Sequence, residues 1–203
     1  MRRVLIATSN PGKLRDFAGA AAHHGVEVVG IPNFSSLPSV VEDGVTFEAN
    51  ARKKAEAYSR HVPGEIVVAD DSGLEVDALD GAPGVHSARY AADEPHNAGA
   101  NTDDKANNAK LLLELKNSPP AERTARFVCV LAAARDGQTL ATFRGTADGI
   151  ILERARGSYG FGYDPLFYFP QIEKTFAQLT AEEKAHYSHR GTAFGKFLVW
   201  CDL

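Results

Sequence analysis

The sequence predicts an α/β fold built on a mixed sheet with long strands. Three observations support this prediction. The chain begins with the order strand, loop, helix; its second half contains a long hairpin pattern; and no repeat, linker or low-complexity block interrupts it. We therefore predict one folded unit over residues 1–203, whose two lobes meet over a cleft.

The N-terminal half alternates strand and helix patterns. Val4 to Ala7 is a short aliphatic run that ends in the turn TSNPGK, and apolar residues then recur at helical spacing. We predict a second strand at Val26 to Gly30 and a helix from about Thr46 to Arg60. The apolar run at residues 66 to 69 predicts a third strand, which ends where the acidic motif DDSG begins.

The C-terminal half contains the hairpin, in which ARFVCVLAAAR and QTLATFRGTA are joined by the turn Asp136-Gly137. Before it, Thr102 or Asp103 is expected to cap a helix. After it, LFYF predicts a short strand and TAEE a capping box that begins a helix. The last helix is expected to begin at about Arg190.

Charge and composition exclude several classes of protein. The formal net charge of −4 and the pI of about 6.0 leave no basic excess to displace counterions, so we expect no general affinity for nucleic acid. The apolar N-terminal run is far shorter than the roughly 20 residues of a membrane span, so no membrane partner is expected. Cys129 and Cys201 lack metal-ligand spacing and are expected to be reduced thiols in the cytoplasm.

The turn after the first strand is a candidate phosphate-binding loop. A helix N-terminus presents backbone N–H groups and the positive end of the helix dipole, and both favour an anion. Thr8, Ser9 and Asn10 add side-chain donors, and Lys13 adds a positive charge. An ordinary capped turn between strand and helix remains the alternative interpretation.

Two acidic pairs are candidate metal ligands. Asp70 and Asp71 follow a buried run, where unpaired carboxylates are costly, so a positive group is expected close to them. Hard divalent cations such as Mg²⁺ take carboxylate oxygens and bridge to substrate phosphates, and Mn²⁺ would fit the same ligands. Glu42 and Asp43 form the second pair. The alternative for the first pair is that the carboxylates accept N–H groups of a turn, and the alternative for the second pair is a solvated turn.

Two later stretches carry further candidate residues. The run GSYGFGYDP, residues 157 to 165, places glycines between aromatic residues, which allows close backbone approach and stacking on a flat base. The stretch EEKAHYSHRG, residues 182 to 191, gathers Lys184, His189 and Arg190 at the junction of two helices. A plain glycine-rich loop and a solvated basic face are the alternatives.

Taken together and in this order, the motifs resemble the inosine triphosphate pyrophosphatase family. The resemblance extends from TSN and K through TFEANA, ADDSGLEVDALDGAPGVHSARY and FGYDP to SHRG. It implies an elongated, mixed α/β fold of two lobes with a central active-site cleft, usually as a homodimer. It also implies metal-dependent hydrolysis of ITP, dITP and XTP to the nucleoside monophosphate and pyrophosphate, which cleanses the nucleotide pool.

The resemblance assigns roles to individual residues. It makes Asp71 the catalytic proton acceptor and, with Glu42, a ligand of Mg²⁺. The adjacent Lys53 and Lys54 both lie near the matched position; Lys54 is the predicted phosphate ligand, and the helix register decides between them. The remaining substrate-binding residues that it implies are Thr8, Ser9, Asn10, Lys13, Ser72, Phe161, Gly162, Tyr163, Asp164, Lys184, His189 and Arg190.

Two other functions remain open from the sequence. The first is a phosphatase with an aspartate nucleophile, but such enzymes separate their two aspartates by one residue, whereas Asp70 and Asp71 are adjacent. The second is a nucleotide-binding module without catalytic activity. Carboxylates beside a phosphate loop argue against it, because they repel an anion unless a metal intervenes.

Overall fold

The computed structural model describes residues 2–22, 24–92 and 103–201. Within these residues, one mixed sheet has seven strands in the order β2-β1-β3-β4-β5-β6-β7. Strand β1 pairs in parallel with β2 and β3, and β6 pairs antiparallel with β5 and β7. The strands are β1 Arg2–Ile6, β2 Val26–Gly30, β3 Val67–Val76, β4 Thr124–Arg135, β5 Gln138–Ile151, β6 Phe167–Phe169 and β7 Lys174–Thr175.

The helices fall where the sequence predicts them, from periodicity and caps. They are α1 Pro11–Ala21, α2 Phe47–Ser59, α3 Asp104–Glu114, α4 Ala181–Tyr187 and α5 His189–Cys201. Thr46 caps α2 by accepting the Ala49 N–H, and Asp103 occupies the N-cap position of α3. The predicted α/β class is confirmed. The alternative cap Thr102 lies outside the described residues.

Strand β3 corrects one prediction. We expected the strand to end before the acidic motif, but it continues through Asp70, Asp71 and Ser72 to Val76. The strand can continue because positive side chains from two helices balance the carboxylates, as described below. The acidic pair therefore lies inside a strand, where consecutive side chains point to opposite faces of the sheet.

The described chain divides into two compact units. The first comprises Met1–Asp71, Cys129–Thr146 and Ala181–Leu203, and the second comprises Ser72–Val128 and Ala147–Thr180. The core of the first packs Phe17 against Phe194 with ring centroids 5.3 Å apart. In the second unit, Phe127 packs on Phe167 with ring centroids 4.4 Å apart. None of the described helices is long and apolar enough to cross a membrane.

Candidate active site

The site in the first unit is centred on two buried carboxylates. Asp70 is 3 % exposed and Asp71 is 7 % exposed. Burial of an ionised carboxylate requires a compensating partner. Consecutive side chains of a strand point to opposite faces, and the nearest partners of the two carboxylates differ: Lys13 of α1 contacts Asp70, whereas Asn50 and Lys54 of α2 contact Asp71.

Asp70 is paired with Lys13 of helix α1. The Lys13 Nζ lies 2.8 Å from the Asp70 Oδ2. Burial alone would raise the pKa of Asp70, but the charges of Lys13, Lys54 and Arg190 outweigh burial and hold the pKa well below its ordinary value. Asp70 therefore stays ionised and keeps Lys13 next to the strand.

The turn before α1 is a capped helix start. The Asn10 Oδ1 accepts the N–H groups of Gly12 at 2.8 Å and Lys13 at 3.2 Å, and the Thr8 Oγ1 accepts the Asn10 N–H at 3.1 Å. Side chains of the turn thus occupy three of the backbone donors. The cap uses the side-chain oxygen of Asn10, so the donors suited to a phosphate are the Asn10 Nδ2 group, the Thr8 hydroxyl and the exposed Ser9 hydroxyl.

Asp71 faces helix α2. Its Oδ2 accepts the Asn50 Nδ2 at 3.0 Å, and its Oδ1 lies 3.7 Å from the Lys54 Nζ. Burial raises the pKa of Asp71 to about 6; Lys54 and Asn50 oppose this effect, and Glu42 adds to it. Asp71 is therefore a stronger base than an ordinary aspartate.

Lys54, rather than Lys53, faces this site. Its Nζ lies 2.6 Å from Glu42 Oε2, and the residue is 8 % exposed. Burial opposes its charge, yet Asp71, Asp70 and Glu42 raise the pKa of Lys54 overall, so it remains an ammonium ion. Lys53 is exposed and pairs with Asp43 at 2.6 Å.

Asn50 joins the acidic loop to Asp71, and the sequence analysis missed it as a site residue. Its Oδ1 accepts the Gly44 N–H at 2.8 Å, while its Nδ2 donates to Asp71 and lies 3.4 Å from the Gly44 carbonyl oxygen. A Cβ added at Gly44 would lie 2.6 Å from the Asn50 Oδ1, so this close approach requires glycine. The sequence could have indicated this role, because helical periodicity places the polar Asn50 beside the apolar residues of α2.

The donor set fits a hard divalent cation. The Glu42 and Asp71 carboxylates both approach the Lys54 ammonium, so their oxygens converge on one region. Within the described residues, no group of three or more His, Cys, Asp and Glu side chains could hold a metal. Two carboxylates suit Mg²⁺, which usually keeps several waters and is completed by substrate phosphates.

Lys184 and Arg190 both pair with Asp16 of α1, and the third predicted residue, His189, begins helix α5 directly before Arg190. The Asp16 Oδ2 lies 3.5 Å from the Lys184 Nζ and 3.2 Å from an Arg190 guanidinium nitrogen. All three predicted residues are buried. Burial, together with the charges of Arg190, Lys184 and Lys13, lowers the pKa of His189 well below its ordinary value, so its ring is neutral near pH 7. The sequence analysis missed Asp16.

The remaining predicted residues lie in the second unit. Ser72 is half-buried in β3. In the loop of residues 161–164, the Asp164 Oδ2 accepts the Phe161 N–H at 2.9 Å, and the Tyr163 hydroxyl donates to the Ser87 carbonyl oxygen at 2.8 Å. Tyr163 and Asp164 are buried, so the half-buried Phe161 ring is the side-chain group that this loop can offer to a ligand.

Comparison with known proteins places the chain in a family. A model of the Ham1 family matches residues 4–200. A dITP/XTP pyrophosphatase of Geobacillus kaustophilus is 51 % identical over 196 residues, which cover 97 % of this chain and 92 % of the relative. The chain belongs to the Ham1 family. The resemblance to pyrophosphatases that the motifs predicted is thereby confirmed.

Other Ham1 relatives agree in sequence and fold. A dITP/XTP pyrophosphatase of Bacillus subtilis is 44 % identical over 97 % of this chain and 95 % of the relative. The solved Ham1 protein of Staphylococcus aureus is 42 % identical, with a TM-score of 0.81 over 99 % of this chain and 98 % of that one. The HAM1 protein of Coxiella burnetii is 35 % identical, with a TM-score of 0.82 over 100 % and 99 % of the two chains.

Proposed function

We propose that this Ham1 chain hydrolyses non-standard purine nucleoside triphosphates, namely ITP, dITP and XTP, to the nucleoside monophosphate and pyrophosphate. Relatives that are 44 % to 51 % identical over nearly the whole chain are named dITP/XTP pyrophosphatases. The observation that carries the chemistry is the buried Asp71, which Asn50 orients and Lys54 flanks.

Asp71 is the proposed proton acceptor. A pKa of about 6 leaves the carboxylate ionised at neutral pH, yet makes it basic enough to take a proton from an attacking water. The Asn50 hydrogen bond orients the carboxylate through Oδ2, and its Oδ1 lies 3.7 Å from the Lys54 Nζ. Asp70, held ionised by Lys13, is the weaker base of the two and acts by holding Lys13 in place.

The lysines are the proposed phosphate ligands. Lys54 stays charged although it is buried, so it can stabilise negative charge that develops on the leaving pyrophosphate. Lys13 lies in the first turn of α1, where the positive end of the helix dipole adds to its own charge. We also propose that Thr8, Ser9 and Asn10 contact the phosphates from the turn before this helix.

We propose that Asp71 and Glu42 hold Mg²⁺, with Mn²⁺ as a substitute. When bound, such an ion neutralises phosphate charge and polarises the bond that is broken. We further propose Lys184 as a phosphate ligand, Ser72 as a substrate contact, and His189, Arg190 and residues 161–164 as the base-binding set. A homodimer that acts in the cytoplasm is proposed from the family resemblance.

The test is a panel of nucleoside triphosphates with Mg²⁺, in which pyrophosphate and phosphate are measured separately. We expect pyrophosphate from ITP, dITP and XTP and little from ATP or GTP. Asp71→Asn should lower turnover at least about 10²-fold. Asp43→Asn is the matched control, because Asp43 is exposed and pairs with Lys53.

Three outcomes would contradict the proposal. Release of phosphate with a nucleoside diphosphate would indicate a phosphatase, and binding without turnover would indicate a nucleotide-binding module. A loss in Asp70→Asn that exceeds the loss in Asp71→Asn would transfer the role of proton acceptor to Asp70.

A further inference from the structure

Helix α3 carries polar side chains on one face, and they contact two segments of the second unit. The Asn107 Oδ1 accepts the Ala91 N–H at 2.8 Å. Asp104 and Asn108, one helical turn apart, both contact Gly162. The sequence predicted this helix from its cap and assigned no role to Asp104, Asn107 or Asn108.

Gly162 is held by both of its backbone polar groups. Its N–H donates to the Asp104 Oδ2 at 2.7 Å, and its carbonyl oxygen accepts the Asn108 Nδ2 at 2.9 Å. The residue has a φ of +61°, a left-handed conformation that glycine adopts readily and that it also leaves readily. The two helix side chains therefore select one conformation from the many that glycine allows.

The other residues of the loop are fixed as well. The Asp164 carboxylate bonds the Phe161 N–H, and the Tyr163 hydroxyl bonds the Ser87 carbonyl oxygen. Gly162 is the position with the greatest backbone freedom in this stretch. Its bonds to α3 thus complete a loop in which the backbone is fixed before any ligand arrives.

Asn108 occupies a position at which asparagine is unfavourable, and its contact with Gly162 explains why an amide is present there. Its Oδ1 is buried and has no hydrogen-bond partner among the described residues. A buried acceptor without a partner is unfavourable, and an aliphatic side chain at this position would avoid that cost. The orientation of the amide is set by the Gly162 carbonyl, which needs the Nδ2 donor.

We propose that Asp104 and Asn108 are positioning residues that preorganise the loop of residues 161–164 for binding a purine base. The inference rests on the proposed function, because that function makes this loop part of the base-binding set. Ordering a loop during binding weakens affinity, and a loop that is already ordered avoids this loss. The two residues act through Gly162 and need no contact with the substrate.

The test measures ligand binding without hydrolysis. IMP and inorganic tripolyphosphate are titrated calorimetrically into the wild type, Asp104→Ala and Asn108→Ala. We expect both variants to bind IMP roughly tenfold more weakly, the effect of ordering about one residue on binding. Binding of tripolyphosphate, which has no base, should be unchanged.

Two variants separate positioning from general destabilisation. Asp104→Asn keeps an acceptor for the Gly162 N–H and should restore IMP affinity. Asp103→Ala removes the neighbouring exposed carboxylate, which forms no capping bond, and should bind IMP like the wild type. Thermal unfolding confirms that each variant is folded.

The inference is overturned if IMP and tripolyphosphate weaken by the same factor, if Asp103→Ala behaves like Asp104→Ala, or if the wild type does not bind IMP. The proposed function is judged separately by release of pyrophosphate from ITP. A wild type that releases none, but whose IMP affinity depends on Asp104 and Asn108, would refute the function and retain the positioning role.

Discussion

The substitution Asp71→Asn should stabilise the fold at neutral pH while it removes activity. Burial raises the pKa of Asp71 from an ordinary value of 3.8 to about 6. Since a tenfold change in proton affinity corresponds to about 1.4 kcal/mol, ionised Asp71 costs the folded state of order 2–3 kcal/mol. The substitution removes this cost, and the Asn50 hydrogen bond can still be accepted by the amide oxygen.

The pH dependence of the unfolding free energy shows whether ionised Asp71 stabilises or destabilises the fold. A group with a raised pKa in the folded state contributes stability below its unfolded pKa and loses that contribution as the pH rises through its folded pKa. The wild type should therefore lose stability relative to Asp71→Asn between about pH 4 and pH 6. The measurement is urea unfolding of both proteins at intervals from pH 4 to pH 8, with EDTA and without nucleotide.

Asp70→Asn is the matched control, because its effect should have the opposite sign. Lysine and arginine charges hold the pKa of Asp70 below its ordinary value, so its contribution is present above about pH 4 and is lost as the pH falls further. Asp70→Asn should therefore destabilise the protein at pH 7. A stability difference between wild type and Asp71→Asn that is constant from pH 4 to pH 8 would refute the argument.

Three further predictions concern the lysines, the acidic loop and the choice of base. In steady-state assays, Lys54→Ala should lower kcat/KM for ITP about 10²-fold, whereas Lys53→Ala should lower it less than about twofold. Equal losses would contradict the assignment of Lys54 as the phosphate ligand. Gly44→Ala should displace Asn50 and lower kcat about tenfold; Asn50→Ala should cause a similar loss, and the double variant should lose no more than either single variant. Arg190→Ala should lower kcat/KM for ITP more than for ATP, because a guanidinium only donates hydrogen bonds and therefore suits the 6-carbonyl of hypoxanthine and not the 6-amino group of adenine. Equal losses for ITP and ATP would indicate that Arg190 binds phosphate.

The order of helices α1 to α5 and strands β1 to β6 was predictable from periodicity, apolar runs and caps, whereas the two-residue strand β7 carries no pattern of its own. The extent of β3 was not predictable, since two adjacent aspartates argue against a buried strand when their partners are unknown. Lys13 and Lys54 lie far from Asp70 and Asp71 in sequence, and only the folded chain brings them together. The rule that buried carboxylates need a positive partner was right, and it could not name the partner.

The periodicity of helix α2 could have decided between Lys53 and Lys54 from the sequence alone. Phe47, Ala51 and Tyr58 define the buried face of this helix, and the same periodicity places Lys54 on that face and Lys53 off it. The register that the motif left open could therefore have been decided from the sequence.

Asp16 illustrates the opposite case. Its hydrogen-bond partner Arg190 is 174 residues away in sequence, so no local pattern connects the two side chains. Asp104 and Asn108 are also more than fifty residues away from Gly162 in sequence, so no local pattern predicts their contacts with it.

The balance of charge around β3 leads to a last prediction, about nucleotide binding without metal. Glu42, Asp70 and Asp71 supply three negative charges against two positive charges from Lys13 and Lys54, so these five side chains sum to −1 when all are ionised. A bare triphosphate is then repelled by the carboxylates that suit a cation. In EDTA at pH 8, Asp71→Asn should therefore bind ITP more tightly than the wild type, by roughly tenfold for one removed charge.

The same titration at pH 5 supplies the control. Asp71, with a pKa of about 6, is then largely protonated in the wild type, so the two proteins should bind ITP alike. Asp43→Asn should match the wild type at both pH values, because Asp43 is exposed and paired with Lys53. If Asp71→Asn binds ITP no better than the wild type at pH 8, the Asp71 carboxylate does not face the phosphates, and both its proposed roles, as proton acceptor and as metal ligand, would fail together.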